Sequence, residues 1–152
     1  MASRRKSGKA AGGGGKVLTS KLIQPQIQEA LAYCGHGSKI LIADGNYPLA
    51  EKTGNARKVY LGLTRGNPTV TQVLEAVLSA VNVEKAEVMV PPEGPEPEIF
   101  REFGQLLDGM ELSGLGRYEF YDACMADNAI VLAVSTGEQR VFANILLTIG
   151  CA

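Results

Sequence analysis

Lys39-Ile40-Leu41-Ile42-Ala43-Asp44 is the stretch whose reading decides the fold. Ile40, Leu41, Ile42 and Ala43 are all apolar, with no polar residue in alternation. A strand with one wet face alternates. A strand covered on both faces is apolar throughout, as in a parallel sheet lying between helices. Asp44 stands where the run stops, and open α/β sheets place their chemistry just beyond the carboxyl ends of such strands. On the N-terminal side, Ile27, Ala30, Leu31 and Cys34 recur at helical spacing, with Pro25 suited to the first turn and Gly35 to the C′ position.

The pattern repeats along the chain. Residues 59–63 read as a second strand. Asn67-Pro68 reads as an N-cap and first-turn proline opening a helix with Val70, Val73, Leu74, Val77, Leu78 and Val81 on one stripe. Residues 86–90 are a third strand, and 91–97 an acidic, proline-rich surface loop. Ile99, Phe100, Phe103, Leu106 and Leu107 mark another amphipathic helix. Residues 117–121 read as extended, because Tyr118 and Phe120 alternate as strand residues do, and 122–126 as a short helix. Residues 129–134 are a buried strand, Thr136-Gly137-Glu138 a turn, and 144–149 a final apolar strand. Strands alternating with helices predict a single-domain, layered α/β fold with a mostly parallel central sheet flanked by helices.

The 152 residues suit one domain, and 45% hydrophobic content suffices for its core. The first acid is Glu29, preceded by six basic residues; the rest of the chain holds 9 basic and 16 acidic residues, a net −7. An acidic body argues against nucleic acid as partner. No apolar stretch approaches the ~20 residues needed to span a bilayer, so no membrane partner is expected. Cys34, Cys124 and Cys151 are far apart and odd in number, and there is a single histidine, which excludes the usual zinc patterns. The cysteines read as reduced and the compartment as cytoplasmic. Residues 1–20 read as a disordered, basic, Gly-rich tail and 21–152 as the domain. Gly12-Gly13-Gly14-Gly15-Lys16 fails as a phosphate loop, since Val17 replaces the Ser/Thr and no strand precedes it. With no Gly-rich fingerprint after any strand, a nucleotide-binding domain is disfavoured.

The single histidine, His36, stands in Gly35-His36-Gly37, eight residues before Asp44. Its glycine neighbours leave it close access to a ligand, and histidine is the side chain whose ordinary titration range suits proton transfer at neutral pH. Whether it meets Asp44 in one pocket is the question the sequence poses. As an alternative role, Asp44 can cap its own turn, bonding the backbone two residues on.

Four motifs in order then resemble the ribose pyranase and fucose mutarotase family (the RbsD/FucU family). Gly35-His36-Gly37 is followed by Ala43-Asp44-Gly45-Asn46-Tyr47-Pro48. Leu63-Thr64-Arg65-Gly66-Asn67-Pro68 is similar to the pyranase branch. Arg117-Tyr118-Glu119-Phe120-Tyr121 is similar to the mutarotase branch. Thr136-Gly137-Glu138 precedes Phe142-Ala143-Asn144-Ile145-Leu146-Leu147. The resemblance covers about 21–150. It implies cofactor-independent, metal-free interconversion of anomers or ring forms of an aldose, such as fucose or ribose, by homo-oligomers built of pentameric rings, often decamers, with sites near subunit contacts.

Ring opening needs a base at the anomeric hydroxyl and an acid at the ring oxygen; such catalysis contributes ~10²–10⁴-fold. The resemblance assigns His36 as the acid/base, with Asp44 orienting a sugar hydroxyl or setting the imidazole tautomer. Arg117 and Asn144 hold sugar oxygens. The family usually has tyrosine at the position of Phe142, which keeps a stacking face and lacks the hydroxyl. Tyr47 or Tyr121 could supply the missing phenol. The same substitution motivates an alternative: a non-catalytic sugar-binding or regulatory protein on this scaffold. Arg117 can equally be an ion-pair partner, Asn144 a backbone satisfier, and Glu138 structural.

Overall fold

A computed structural model describes residues 17–126 and 130–152. The expectation of a disordered tail falls mostly on residues 1–16, outside the described part. In chain order the elements are α1 (Pro25–Ala32), β1 (Lys39–Ala43), β2 (Arg57–Tyr60), α2 (Val70–Leu78), β3 (Val83–Met89), α3 (Ile99–Leu106), β4 (Leu112–Leu115), α4 (Arg117–Met125), β5 (Ile130–Ser135) and β6 (Ile145–Ile149).

The strands form one six-stranded sheet in the order β2-β5-β1-β6-β3-β4. β1 and β2 both run parallel to β5, and β3 runs parallel to β4. β6 lies between β1 and β3, antiparallel to both. Ile40 and Ile42 enter one core with α1, α2 and α3. Leu41 and Ala43 enter a second, with Phe120 and Cys124 of α4 and with Tyr47 and Leu49 of the loop after β1. Both faces of β1 are therefore covered, which is why its apolar run does not alternate. Ile40, Leu41 and Ile42 are fully buried, each worth about 1.5–3 kcal/mol of transfer free energy.

Helix boundaries depart from the sequence reading in three places. α1 ends at Ala32, before Cys34, although Pro25 does stand at its start and Gln24 Oε1 accepts the Ile27 N–H at 2.7 Å. α2 is capped by Thr69 rather than Asn67: its hydroxyl accepts from Gln72 N while the Gln72 side chain accepts from Thr69 N. Asn67-Pro68, a cis peptide, instead closes a tight turn with Thr64. Residues 117–121 are helical, the first half of α4. Gly116 is extended, its N–H donates to Glu119 Oε1 at 2.9 Å, and Phe120 and Cys124 share the buried face four residues apart. Of Tyr118 and Phe120, Phe120 is fully buried and Tyr118 is 75% exposed.

Pairing register puts Ala43 of β1 level with Ser135 of β5, which is level with Tyr60 of β2. Ile145, at the start of β6, is level with Ile42 and Val88, and Met89 with Leu115. The carboxyl ends of five strands and the amino end of β6 thus share one edge of the sheet. The opposite edge holds the α1–β1 loop, the end of β6 and the start of β3; Gly37 N–H donates to Ile149 O at 2.9 Å there.

Candidate active site

Two segments meet at the carboxyl edge. Asp44 ends β1, and the strap 136–144 joins β5 to β6. Asp44 Oδ1 accepts the Asn46 N–H at 2.9 Å and Oδ2 the Ala143 N–H at 3.1 Å, while Asp44 N–H donates to Asn144 Oδ1 at 2.8 Å. Asp44 is 2% and Asn144 3% exposed. Both side chains therefore do the structural work their alternative readings assigned them. A carboxylate has about four acceptor positions, so these two N–H groups leave Asp44 able to accept further hydrogen bonds. Burial pushes the Asp44 carboxyl up from its ordinary value, opposed by the amides of Ala143, Asn46 and Tyr47.

Around this pair lies a cavity of about 100 Å³ lined by Asp44, Asn46, Tyr47, Met89, Arg117, Tyr121, Val141, Phe142 and Asn144. Six of the seven residues expected at a site are thus brought together, from three separated stretches of chain. Asn46, Met89 and Val141 were not anticipated; Asn46 carried a signal in its motif position two after Asp44, and the other two carried none. Beside this cavity, sharing Asn46, is a broader cleft of about 490 Å³ that includes Leu63, Thr64, Arg65 and Gln139. Gly137 closes the strap against the 64–67 turn: a Cβ there would meet Asn67 O at 2.7 Å and also the carbonyl oxygen of Thr64.

Arg117 is the first residue of α4, and its guanidinium lies over the Phe142 ring, 5.6 Å from the centroid. No carboxylate among the described residues pairs with it. A cation in the first turn of a helix opposes the helix dipole, so Arg117 is not placed there to stabilise α4. The two candidate phenols differ. The Tyr47 hydroxyl donates to Lys52 O at 2.9 Å, and the residue is buried; burial raises its pKa, with Cys124 adding to the effect. Tyr121 packs edge-on against Tyr47 at 5.4 Å, is half-buried, and has Lys52 Nζ 5.6 Å from its ring centroid.

His36 is not in this cavity. It lies in the α1–β1 loop at the opposite edge, 60% exposed at the side chain, with Nε2 2.9 Å from Glu84 Oε1 at the start of β3. A separate cleft of about 590 Å³ runs past it, lined also by Cys34, Leu78 and Cys151. At about 3.3 Å per residue, β1 alone separates His36 from Asp44 by roughly 16 Å. Within one chain the two do not meet, and Asp44 does not set the tautomer of its own chain's imidazole.

Glu138, in the turn that opens the strap, is 5% exposed. Burial alone would raise its pKa, but hydrogen bonds from Arg140 and from the Val70 amide outweigh it and hold the carboxyl below the usual range. Cys34, Cys124 and Cys151 form no disulfide; burial pushes the Cys124 thiol up to about 12. No helix of the described residues is long and apolar enough to cross a membrane, and no group of three or more His, Cys, Asp or Glu among them could hold a metal ion.

Comparison with known proteins agrees with this architecture. Residues 18–152 match the model of the RbsD / FucU transport protein family. A D-ribose pyranase of Chloroflexus aggregans is 29% identical over 129 residues, covering 85% of this chain and 94% of that protein. One from Clostridium perfringens is 26% identical over 131 residues, covering 86% and 95%. Bacillus subtilis RbsD complexed with D-ribose superposes with a TM-score of 0.74 at 22% identity, covering 93% of this chain and 99% of that one. The fucose mutarotase from Streptococcus pneumoniae in complex with L-fucose does so with a TM-score of 0.74 at 24% identity, covering 90% and 99%.

Proposed function

The chain belongs to the RbsD / FucU transport protein family, and from that premise we propose that it interconverts anomers or ring forms of a free aldose, ribose- or fucose-like, without a cofactor. The observation that carries this reading is the convergence of Asp44, Arg117, Tyr121, Phe142 and Asn144, from distant stretches of chain, on one cavity at the sheet edge. The relatives named D-ribose pyranase support the choice of reaction.

In this reading the sugar stacks on Phe142, with Arg117 donating to a hydroxyl or ring oxygen and the spare acceptor positions of Asp44 receiving sugar hydroxyls. Asn144 keeps Asp44 in place through its bond to the Asp44 amide. Tyr121 is the phenol that serves the site, because the Tyr47 hydroxyl is committed to Lys52 O. His36 moves the proton: as a neutral imidazole it takes the proton of the anomeric hydroxyl while the Tyr121 phenol gives its proton to the ring oxygen. The ring opens to the aldehyde, the carbonyl turns over, and the reverse transfers close it. Arg117, always charged, anchors but does not donate that proton.

His36 reaches the sugar from a second copy of the chain. Its loop is exposed, as are Val141 in the cavity lining, Leu63 in the adjoining cleft and Tyr118 beside Tyr121. A heterologous contact of this kind generates rings when its rotation closes, in keeping with pentameric rings and stacked decamers. The test is saturation-transfer NMR of anomer exchange over a panel including D-ribose and L-fucose. The protein accelerates exchange for one of them, and His36→Asn slows it at least 10²-fold; an unchanged rate refutes the role of His36. Phe142 favours one second reading, a sugar-binding protein without turnover. Saturable binding with no acceleration for any sugar would establish it.

A further inference from the structure

The strap between β5 and β6 carries Phe142 and Asn144 to the cavity, and its backbone is constrained at Phe142. That residue has φ of 55°, the left-handed region a bulky side chain occupies only when its surroundings over-determine it. On the inner side Asp44 supplies one restraint, through the Ala143 amide. On the outer side Val141 is 63% exposed and contributes little.

The other restraint is Arg140. Its Nη1 and Nη2 donate to Glu102 Oε2 and Oε1 of α3 at 2.7 and 3.2 Å. Its Nε and Nη2 donate to Glu138 Oε2 and Oε1 at 3.0 and 3.2 Å. Glu138 Oε1 also accepts the N–H of Val70, the first residue of α2, at 3.2 Å. One guanidinium thus ties the strap to α3 directly and to α2 through a buried carboxylate. Paired forks fix angle as well as distance, which a lysine ammonium cannot do. None of Glu102, Glu138 and Arg140 lines the cavity.

We propose that Arg140 is a positioning residue: clamped between Glu102 and Glu138, it sets the left-handed backbone at Phe142 and so the pose of the ring that stacks on the sugar and faces Arg117. Its kinetic consequence rests on the sugar-isomerising reading above; its structural consequence, the pose of Phe142, does not.

The experiment compares Arg140→Met, Arg140→Lys and Glu102→Gln in the full chain. The Phe142 ring resonances are followed by NMR, and kcat and KM for D-ribose and L-fucose by saturation transfer. Arg140→Met moves or broadens the Phe142 resonances and lowers kcat at least tenfold, with KM changed less. Arg140→Lys recovers under a third of the loss. Glu102→Gln, altered at the half-buried outer end of the network, gives a smaller change of the same kind and keeps the comparison available should Arg140→Met fail to fold. Phe142 resonances unmoved in the folded variants would overturn the inference, as would a moved ring with unchanged kcat in a protein that accelerates exchange. If the unaltered protein accelerates no sugar, the isomerase reading fails, and the inference stands or falls on the Phe142 resonances alone.

Discussion

Mixing two inactivated chains is the sharpest test of a site shared between copies. His36 and Arg117 lie at opposite edges of the sheet, His36 beside Glu84 and Arg117 over Phe142. A proton-transferring group must come within about 3 Å of the atom it serves, whereas β1 alone spans roughly 16 Å between these edges. One chain cannot present both residues to one sugar. Both are exposed, so His36→Asn and Arg117→Met leave the cores intact. His36→Asn removes ~10²–10⁴ of the rate. Arg117→Met removes a charge-assisted anchor worth about 1.5–3 kcal/mol, roughly 10- to 150-fold. After equimolar subunit exchange, each contact draws its two sides at random, so about a quarter of the sites of a ring with one heterologous contact per chain combine intact His36 with intact Arg117. Activity in the mixture rises to about a quarter of the unaltered rate, read by saturation-transfer NMR, with exchange verified by native mass spectrometry. A mixture with no more than the mean of its two components, after demonstrated exchange, refutes the shared site.

Three further outcomes follow from the geometry. Tyr47→Phe removes the buried donor to Lys52 O and costs about 1 kcal/mol of stability in urea unfolding with exchange rates kept, whereas Tyr121→Phe keeps stability and slows exchange about tenfold or more; the reverse pattern assigns the phenol to Tyr47. Asp44→Asn leaves one of the Asn46 and Ala143 amides without its acceptor, and relief of the buried charge offsets only part of that, so urea unfolding shows a loss of about 1 kcal/mol; no loss would contradict the observed bonding. Glu138 is held below the usual carboxyl range when folded, so its stabilisation is present above about pH 4.3 and is lost as pH falls through the folded value; Glu138→Gln flattens the acid limb of a stability–pH profile, and an unchanged limb argues against the pairing.

The parts of the fold legible from residues alone are those where packing acts on a regular period. β1 announces itself because both faces are covered, and α2 and α3 because their apolar residues fall on one stripe. β4 did not, since it is four residues long with Gly114 inside it. Residues 117–121 misled because Tyr118 and Phe120 imitate alternation, while the helix is decided by the Gly116–Glu119 cap and the Phe120–Cys124 face. Arg117 and Asn144 entered through resemblance; no periodicity distinguishes them. Arg140 was invisible because its meaning depends on Glu102, 38 residues away. The separation of His36 from Asp44 depends on which end of β1 each flanks, and a spacing of eight positions suggested proximity where an extended strand enforces distance.

β6 is the last strand in chain order yet sits third from one edge of the sheet and fourth from the other. As the chain is synthesised, β2-β5-β1 and β3-β4 can each pair before β6 exists, but nothing joins them. Until it is made, β1 and β3 carry open edges of the kind that recruit foreign strands. The fold is therefore completed by a keystone inserted at the end of synthesis, and a nascent chain stalled short of residue 145 is two unjoined half-sheets, a ready substrate for chaperones or for aggregation.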